Sequence, residues 1–267
     1  MSRTLFLHTW RTQRTKLLII CVAMAAWSSL LPVIYQSFGS QMKALVDSGI
    51  IPKQLTDFGG GDVFSLGGAI ALGYVHPIAI ILLAIFAVGF TTSAVAGERQ
   101  RGTLEVLLAR PLSRRRVYVT LLVATLLFIG IVLASASIGT VIGATIVGVI
   151  GDLRVERLPM LWLNGMLLWS AIAAIGLAAS VSFDRLTPAL GITVAITIVS
   201  YFLDILGSLW PDAKGLQPYS LFHHLTARDV LNGTVDVLGF GLLAAVAAVA
   251  IATALIVFPR RDLAAPS

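Results

Sequence analysis

The chain has 267 residues, of which 57% are hydrophobic and only 12% are charged, and its formal net charge is +6. So few polar side chains cannot cover a soluble globule of this size, which excludes a single water-soluble domain. Its one cysteine, Cys21, excludes an intrachain disulfide and argues against a thiolate metal cluster. The basic residues cluster in short segments between apolar runs, which indicates membrane topology and not nucleic-acid binding.

Six apolar runs are long enough to cross a bilayer, whose core of about 30 Å needs roughly 20 helical residues. They lie at about 17–35, 77–96, 114–149, 161–181, 189–206 and 237–258. The third run exceeds one crossing, so it should tilt or project from the bilayer. No repeat or linker divides the chain. We therefore expect an all-α polytopic membrane protein with a single domain over residues 1–267.

The basic residues predict how these spans are oriented. With six spans, thirteen of the nineteen Lys and Arg residues fall on the side that carries both termini. Positively charged short loops stay in the cytoplasm, so both termini should be cytoplasmic. Before the first span, Leu5, Phe6 and Trp10 alternate with Arg residues, which predicts an amphipathic helix in the headgroup region. The alternative is a frayed tail held by its charges.

The most basic segment is residues 97–116, which contains six Arg. Thr103 is predicted to cap a short helix there, Pro111 to end it, and Ser113 to cap the following span. Leu104, Leu107 and Leu108 fall on one side of this helix. Two turns of helix cannot bury three leucines in water, so they need a groove in this chain or in a partner. Alternatively, they rest on the membrane while the arginines bind lipid phosphate.

The order of residues in this segment carries a resemblance. Glu98-x-x-x-Gly-Thr-Leu-Glu105, followed by Leu107-Leu-Ala-x-Pro-Leu-Ser-Arg114, resembles the loop between the second and third spans of ABC-2 type ABC transporter permeases. In that family the loop forms a coupling helix that docks on a separate ATPase subunit. The resemblance implies that the ATPase-coupling residues are Glu98, Gly102, Thr103, Leu104, Glu105, Leu107 and Leu108.

The resemblance also implies an assembly. Two ATPase subunits would join this chain and a second permease copy or paralogue in a prokaryotic plasma (inner) membrane exporter. Membrane lipid and an accessory extracytoplasmic protein are further expected partners, and nucleic acid is not. The chain has no Gly-x-x-x-x-Gly-Lys-Ser/Thr loop, so ATP and Mg²⁺ should be held by the ATPase, and no cofactor or catalysis is expected in this chain.

Basic residues near the same loop are expected to set its orientation and contacts: Arg11, Arg14, Lys16, Arg101, Arg114, Arg115 and Arg116. Glu98 and Glu105 are acidic residues in this basic surrounding. Each could pair with Arg11, Arg14 or Lys16 and so join the two cytoplasmic segments.

Outside the cytoplasm, Ser65 to Tyr74 is predicted to form a helix packed on the bundle, and residues 217–233 to form two short helices ending at Asn-Gly. Asp204, His223 and His224 lie near the outer surface, and ionisable groups at such depths are often functional. They support the alternative of an intramembrane enzyme, although no metal-binding spacing occurs. A non-transporting membrane anchor for a cytoplasmic partner is a third hypothesis.

Small residues recur at every fourth position in three spans and predict close helix contacts. The three rows are Ser135, Gly139 and Gly143; Ala174, Ala178 and Ser182; and Ala244, Ala248 and Ala252.

Overall fold

The computed structural model describes residues 1–48, 65–104 and 112–261, and these residues form helices and short connections without a strand. The all-α polytopic class is confirmed. The α-helices are α1 Arg3–Asp47, α2 Leu66–Val75, α3 Pro77–Ala84, α4 Glu98–Gln100, α5 Arg114–Ile146, α6 Leu158–Ser182, α7 Leu186–Leu209, α8 Ala227–Asn232 and α9 Val237–Arg260. Two π-helical segments, Ile85–Phe90 and Ser93–Gly97, lie between α3 and α4.

Five of the described helices are long and apolar enough to cross a membrane, and a sixth crossing results if α2 and α3 are counted as one bent span. The bend is 43° and falls at His76-Pro77. Proline has no backbone N–H and favours the first turn of a helix, so α2 ends and α3 begins there. The His76 side chain accepts a hydrogen bond from Ile78 N and caps α3.

Helix α2 is the predicted external helix, and most of its residues are buried. Ser65 caps it by accepting a hydrogen bond from Gly68 N at 3.0 Å. Trp27 of α1 fixes the other end, because its indole N–H donates to Gly73 O at 3.0 Å. Its ring also lies 4.5 Å from the ring of His76. The prediction of a helix packed on the bundle is thus confirmed.

The long helices α1 and α5 run parallel in close contact. A Cβ added at Gly139 would lie 2.2 Å from Ala25 O, and one at Gly143 would lie 2.1 Å from Ser29 O. Only glycine allows the two backbones to approach in this way. The small-residue row in the third span therefore marks a real helix contact, as predicted.

The other two rows fare differently. Ala174 is fully buried inside the bundle, whereas Ala178 and Ser182 are half-buried. The row on α9 is exposed at Ala244, Ala248 and Ala252, so it lies outside the packed interior of this chain, and a contact with a second subunit stays a prediction. Helix α9 instead packs through a different face, formed by Leu243, Ala250, Ala254 and Phe258.

The prediction of a separate amphipathic helix before the first span is also wrong. Arg3 already belongs to α1, and this helix continues past Pro32 to Asp47. Nothing between Arg3 and Lys16 breaks the helix. Leu5 and Thr9 are buried, and Ser2 N donates to Thr120 Oγ1 of α5 at 2.8 Å, so the segment is anchored to the bundle. Its basic residues Arg11, Arg14 and Lys16 stay exposed.

The contacts define two ends of the bundle. The terminal end, as we call it, contains Ser2, Arg99, Arg114, Asp184 and Arg261, which are joined through contacts between helix ends. The far end contains the 3₁₀ segments Ile150–Asp152, Val155–Arg157, Pro211–Tyr219 and Phe222–His224 together with α8. The predicted pair of short helices ending at Asn232-Gly233 is present there, with Gly233 in the left-handed conformation at φ 100°.

Candidate functional site

The second span covers residues 77–97, from α3 through both π-helical segments. It changes its helical register as it approaches the terminal end. Its two π-helical segments are separated by Thr91 and Thr92, whose hydroxyls donate to Ala87 O and Val88 O, both at 2.7 Å. A π-helical turn holds one residue more than an α-helical turn and is rare outside functional positions. It was not predicted from the sequence, because hydropathy does not report the helical register of a span.

Ser180 of α6 bonds directly to the second π-helical segment. Its hydroxyl donates to Thr92 O at 2.8 Å and accepts from Val95 N and Ala96 N, both at 3.0 Å. Ser180 is completely buried. One side chain therefore satisfies three backbone groups of a neighbouring span, and sequence reasoning missed it because a lone serine in an apolar run is common.

The loop of residues 98–116, which we call the charged loop, begins with residues that bond to one another. Glu98 of α4 forms an ion pair with Arg101, and the Thr103 hydroxyl donates to the Glu98 carboxylate and to Glu98 O. Gly102 has φ 72°, a left-handed conformation that explains glycine in this motif. Glu98 thus pairs within the loop and not with the N-terminal segment, where Arg11 and Lys16 are exposed.

Leu104 is 2% exposed and packs in a cluster with Leu5, Val117 and Tyr118. For Leu104, the groove predicted from the sequence is therefore supplied by this chain itself. Glu105, Leu107 and Leu108 lie outside the described residues, as does Pro111. After them, Ser113 caps α5 by accepting from Arg116 N at 3.3 Å, as predicted.

An unpredicted charged junction ties the loop to the other spans. Asp184, between α6 and α7, accepts from Arg99 at 2.6 Å and from Arg261 at 2.8 Å through the same oxygen. Gln100 also accepts from Leu186 N at 2.9 Å. Arg114 reaches the end of α9 and donates to Phe258 O at 3.1 Å. Arg115 and Arg116 remain exposed.

The terminal end thus joins the second span and its loop to the ends of α6, α7 and α9. The family model of the ABC-2 family transporter proteins matches residues 10–263, nearly the whole chain. The chain belongs to the ABC-2 transporter family. ABC-2 permeases are membrane components of ABC transporters, are not themselves catalytic, and work with an ABC ATPase subunit. No curated protein matches this permease.

The groups behind the enzyme alternative lie at the far end of the permease. His223 Nδ1 is 3.7 Å from Asp204 Oδ1, and His224 Nδ1 is 3.9 Å from Asp236 Oδ2. Both distances exceed a hydrogen bond. The nearby Ser220 hydroxyl donates to Ser200 O at 2.6 Å and is thereby engaged with backbone. No group of three metal-ligating side chains occurs among the described residues.

Side chains around these groups hold the connection between α7 and α9 on the bundle. Asn164 of α6 donates to His224 O at 2.9 Å, and Gln217 donates to Asp204 O at 3.1 Å. Asp236 caps α9 by accepting from Gly239 N at 3.0 Å. Each contact fixes a backbone position, which gives the side chains of Asn164, Gln217 and Asp236 a structural role.

Proposed function

We propose that this chain is the permease subunit of an ATP-driven exporter in a prokaryotic plasma membrane. In this proposal the second span transmits the movement of a separate ATPase to the bundle through residues 98–116. The observation that carries it is the charged junction at Asp184. It links Arg99, at the entrance of the loop, to Arg261 at the end of the last span. A force on the loop would therefore reach the ends of four spans.

The terminal end is assigned to the cytoplasm. Arg11, Arg14, Lys16, Arg115 and Arg116 are all exposed at this end. Exposed Lys and Arg close to span ends favour the cytoplasmic side and the anionic headgroups of its lipids. Export is supported only by the resemblance of the loop motif to that of exporters.

The working unit contains two permeases, identical or paralogous, and two ATPase subunits that bind ATP and Mg²⁺. An accessory protein outside the cytoplasm would contact the far end. Within the loop, Leu104 anchors the coupling segment in the permease core, while Gly102 provides the turn that precedes it. Leu107 and Leu108, with Glu105, are proposed to face the ATPase.

The test is co-purification of the tagged permease with the ATPase encoded beside it. The variant Leu107→Asp/Leu108→Asp should lose the ATPase, because charges would replace two apolar side chains that this proposal places against the ATPase. The matched control is Leu216→Asp, an exposed leucine in the far-end segment Pro211–Tyr219, which should retain it. Membrane insertion of each variant is compared beforehand.

Retention of the ATPase by Leu107→Asp/Leu108→Asp would overturn the docking role of these two leucines. Failure of the wild-type permease to bind any ATPase would overturn the exporter proposal and favour the enzyme or anchor alternatives. A bound ATPase whose activity never drives movement of a solute would leave the anchor alternative.

A further inference from the structure

The π-helical segment Ser93–Gly97 has a mechanical consequence that rests on the proposed function. In an α-helix each residue adds about 100° of rotation and about 1.5 Å of rise. A π-helical turn accommodates an extra residue, so its conversion to α-helical register turns everything beyond it by about that amount. Here α4 and the charged loop lie directly beyond it. Conversion between the π-helical and the α-helical register would therefore change how the loop is presented.

The π-helical state needs an outside partner, because widening the helix leaves backbone groups without their usual bonds. The Ser180 hydroxyl is that partner, both as acceptor and as donor: it accepts from Val95 N and Ala96 N and donates to Thr92 O. In a fully α-helical register these N–H groups would bond within the second span. The hydroxyl thus favours the π-helical state specifically.

Close packing places Ser180 where it can act. One turn before it, a Cβ added at Gly176 would lie 2.2 Å from Thr91 Oγ1 and 3.2 Å from Ala87 O. One turn after it, Asp184 binds Arg99 at 2.6 Å. Helix α6 and its end therefore contact the second span before, within and after the π-helical segment. Of these three contacts, the one made by Ser180 is to Val95 N and Ala96 N, whose hydrogen bonds depend on the helical register of the second span.

We propose that Ser180 is a positioning residue for coupling: it holds the end of the second span in π-helical register and so sets how residues 98–103 are presented to the ATPase. Ser180 touches neither the ATPase nor a transported solute. It acts through the backbone of Val95 and Ala96, and ATP-driven movement of the loop would exchange these bonds for bonds within the second span.

The experiment uses the permease–ATPase complex in lipid nanodiscs, with MgATP as the probe. Ser180→Ala should leave co-purification and the KM for ATP within about twofold of wild type and should lower kcat by about tenfold. Ser180→Thr retains the hydroxyl, so its kcat should be that of wild type. Hydrogen exchange at Val95 and Ala96 should differ from wild type in Ser180→Ala, because the bonding of both N–H groups depends on the helical register, and should be normal in Ser180→Thr.

The matched control is Thr125→Val. Thr125 is equally buried, but its hydroxyl donates at 2.8 Å to Leu121 O of its own helix and joins no two spans. Its kcat should equal that of wild type. If Ser180→Ala is not recovered from membranes, Ser180→Cys, with a weaker donor and acceptor, carries the same comparison and should give an intermediate kcat.

A wild-type kcat in an assembled Ser180→Ala complex would overturn the inference and leave the proposed function intact. Equal losses in Ser180→Ala and Ser180→Thr, or in Thr125→Val, would reduce Ser180 to a packing residue and overturn it as well. Absence of any ATPase from the wild-type complex would instead remove the proposed function, and this inference with it.

Discussion

The contact between α1 and α5 makes the most direct prediction about stability. Gly139→Ala and Gly143→Ala each add one methyl group between the helices. The added carbons would lie 2.2 Å and 2.1 Å from backbone oxygens of α1, more than 1 Å inside the 3.4 Å at which ordinary contact begins. Because the obstacles are backbone atoms, no side-chain truncation on α1 can relieve them.

The expected magnitude follows from two opposing effects. Overpacking of this kind costs about 1–3 kcal/mol per site. Alanine favours a helix over glycine by up to about 1 kcal/mol, which offsets only part of that loss. At Gly191 of α7 a Cβ would meet nothing within 4 Å, so Gly191→Ala should be neutral or stabilising. The same substitution is thus expected to have opposite signs at the two locations.

The assay is thermal unfolding of the detergent-solubilised permease, followed by fluorescence-detected size exclusion. An overpacking cost of about 2 kcal/mol and a helix gain of about 1 kcal/mol per site leave about 2 kcal/mol for Gly139→Ala/Gly143→Ala, which should lower Tm by about 4–8 °C. Gly191→Ala should leave Tm at or above the wild-type value. Equal stability of the double variant and wild type would refute the close approach of α1 and α5.

Two further predictions concern the two ends of the bundle. Glu98→Lys should lower ATP turnover of the assembled complex while barely changing Tm, since an exposed ion pair contributes at most about 1 kcal/mol but here orders the loop entrance with Arg101 and Thr103; a parallel fall in Tm would argue for a folding role. Asn164→Leu should lower the stability of the far end by about 1–3 kcal/mol by leaving His224 O without its buried donor. Faster proteolysis within residues 211–233 would report this loss, and unchanged cleavage would contradict it.

The span pattern is the part of this fold that hydropathy determines. The fourth run, predicted at 161–181, is α6 Leu158–Ser182, and the last, predicted at 237–258, is α9 Val237–Arg260. Hydrocarbon requires backbone groups to be bonded inside the protein, and a helix bonds almost all of them within itself, so apolar length sets where most spans begin and end. The Ser113 cap was readable for a related reason, because it depends on local backbone geometry.

The sequence by itself determined the class of protein, its spans, the position of the charged loop and the family motif. Only the tertiary structure decided that Leu104 is buried in the permease itself, that Glu98 pairs with Arg101, and that the α9 alanine row faces outward. It also decided that Ser180 and Asp184 join the second span to α6. Periodicity tells which side chains share a face of a helix. The partner of that face is set by packing between segments far apart in the chain, such as Arg114 and Phe258, which are 144 residues apart, and no local pattern encodes it.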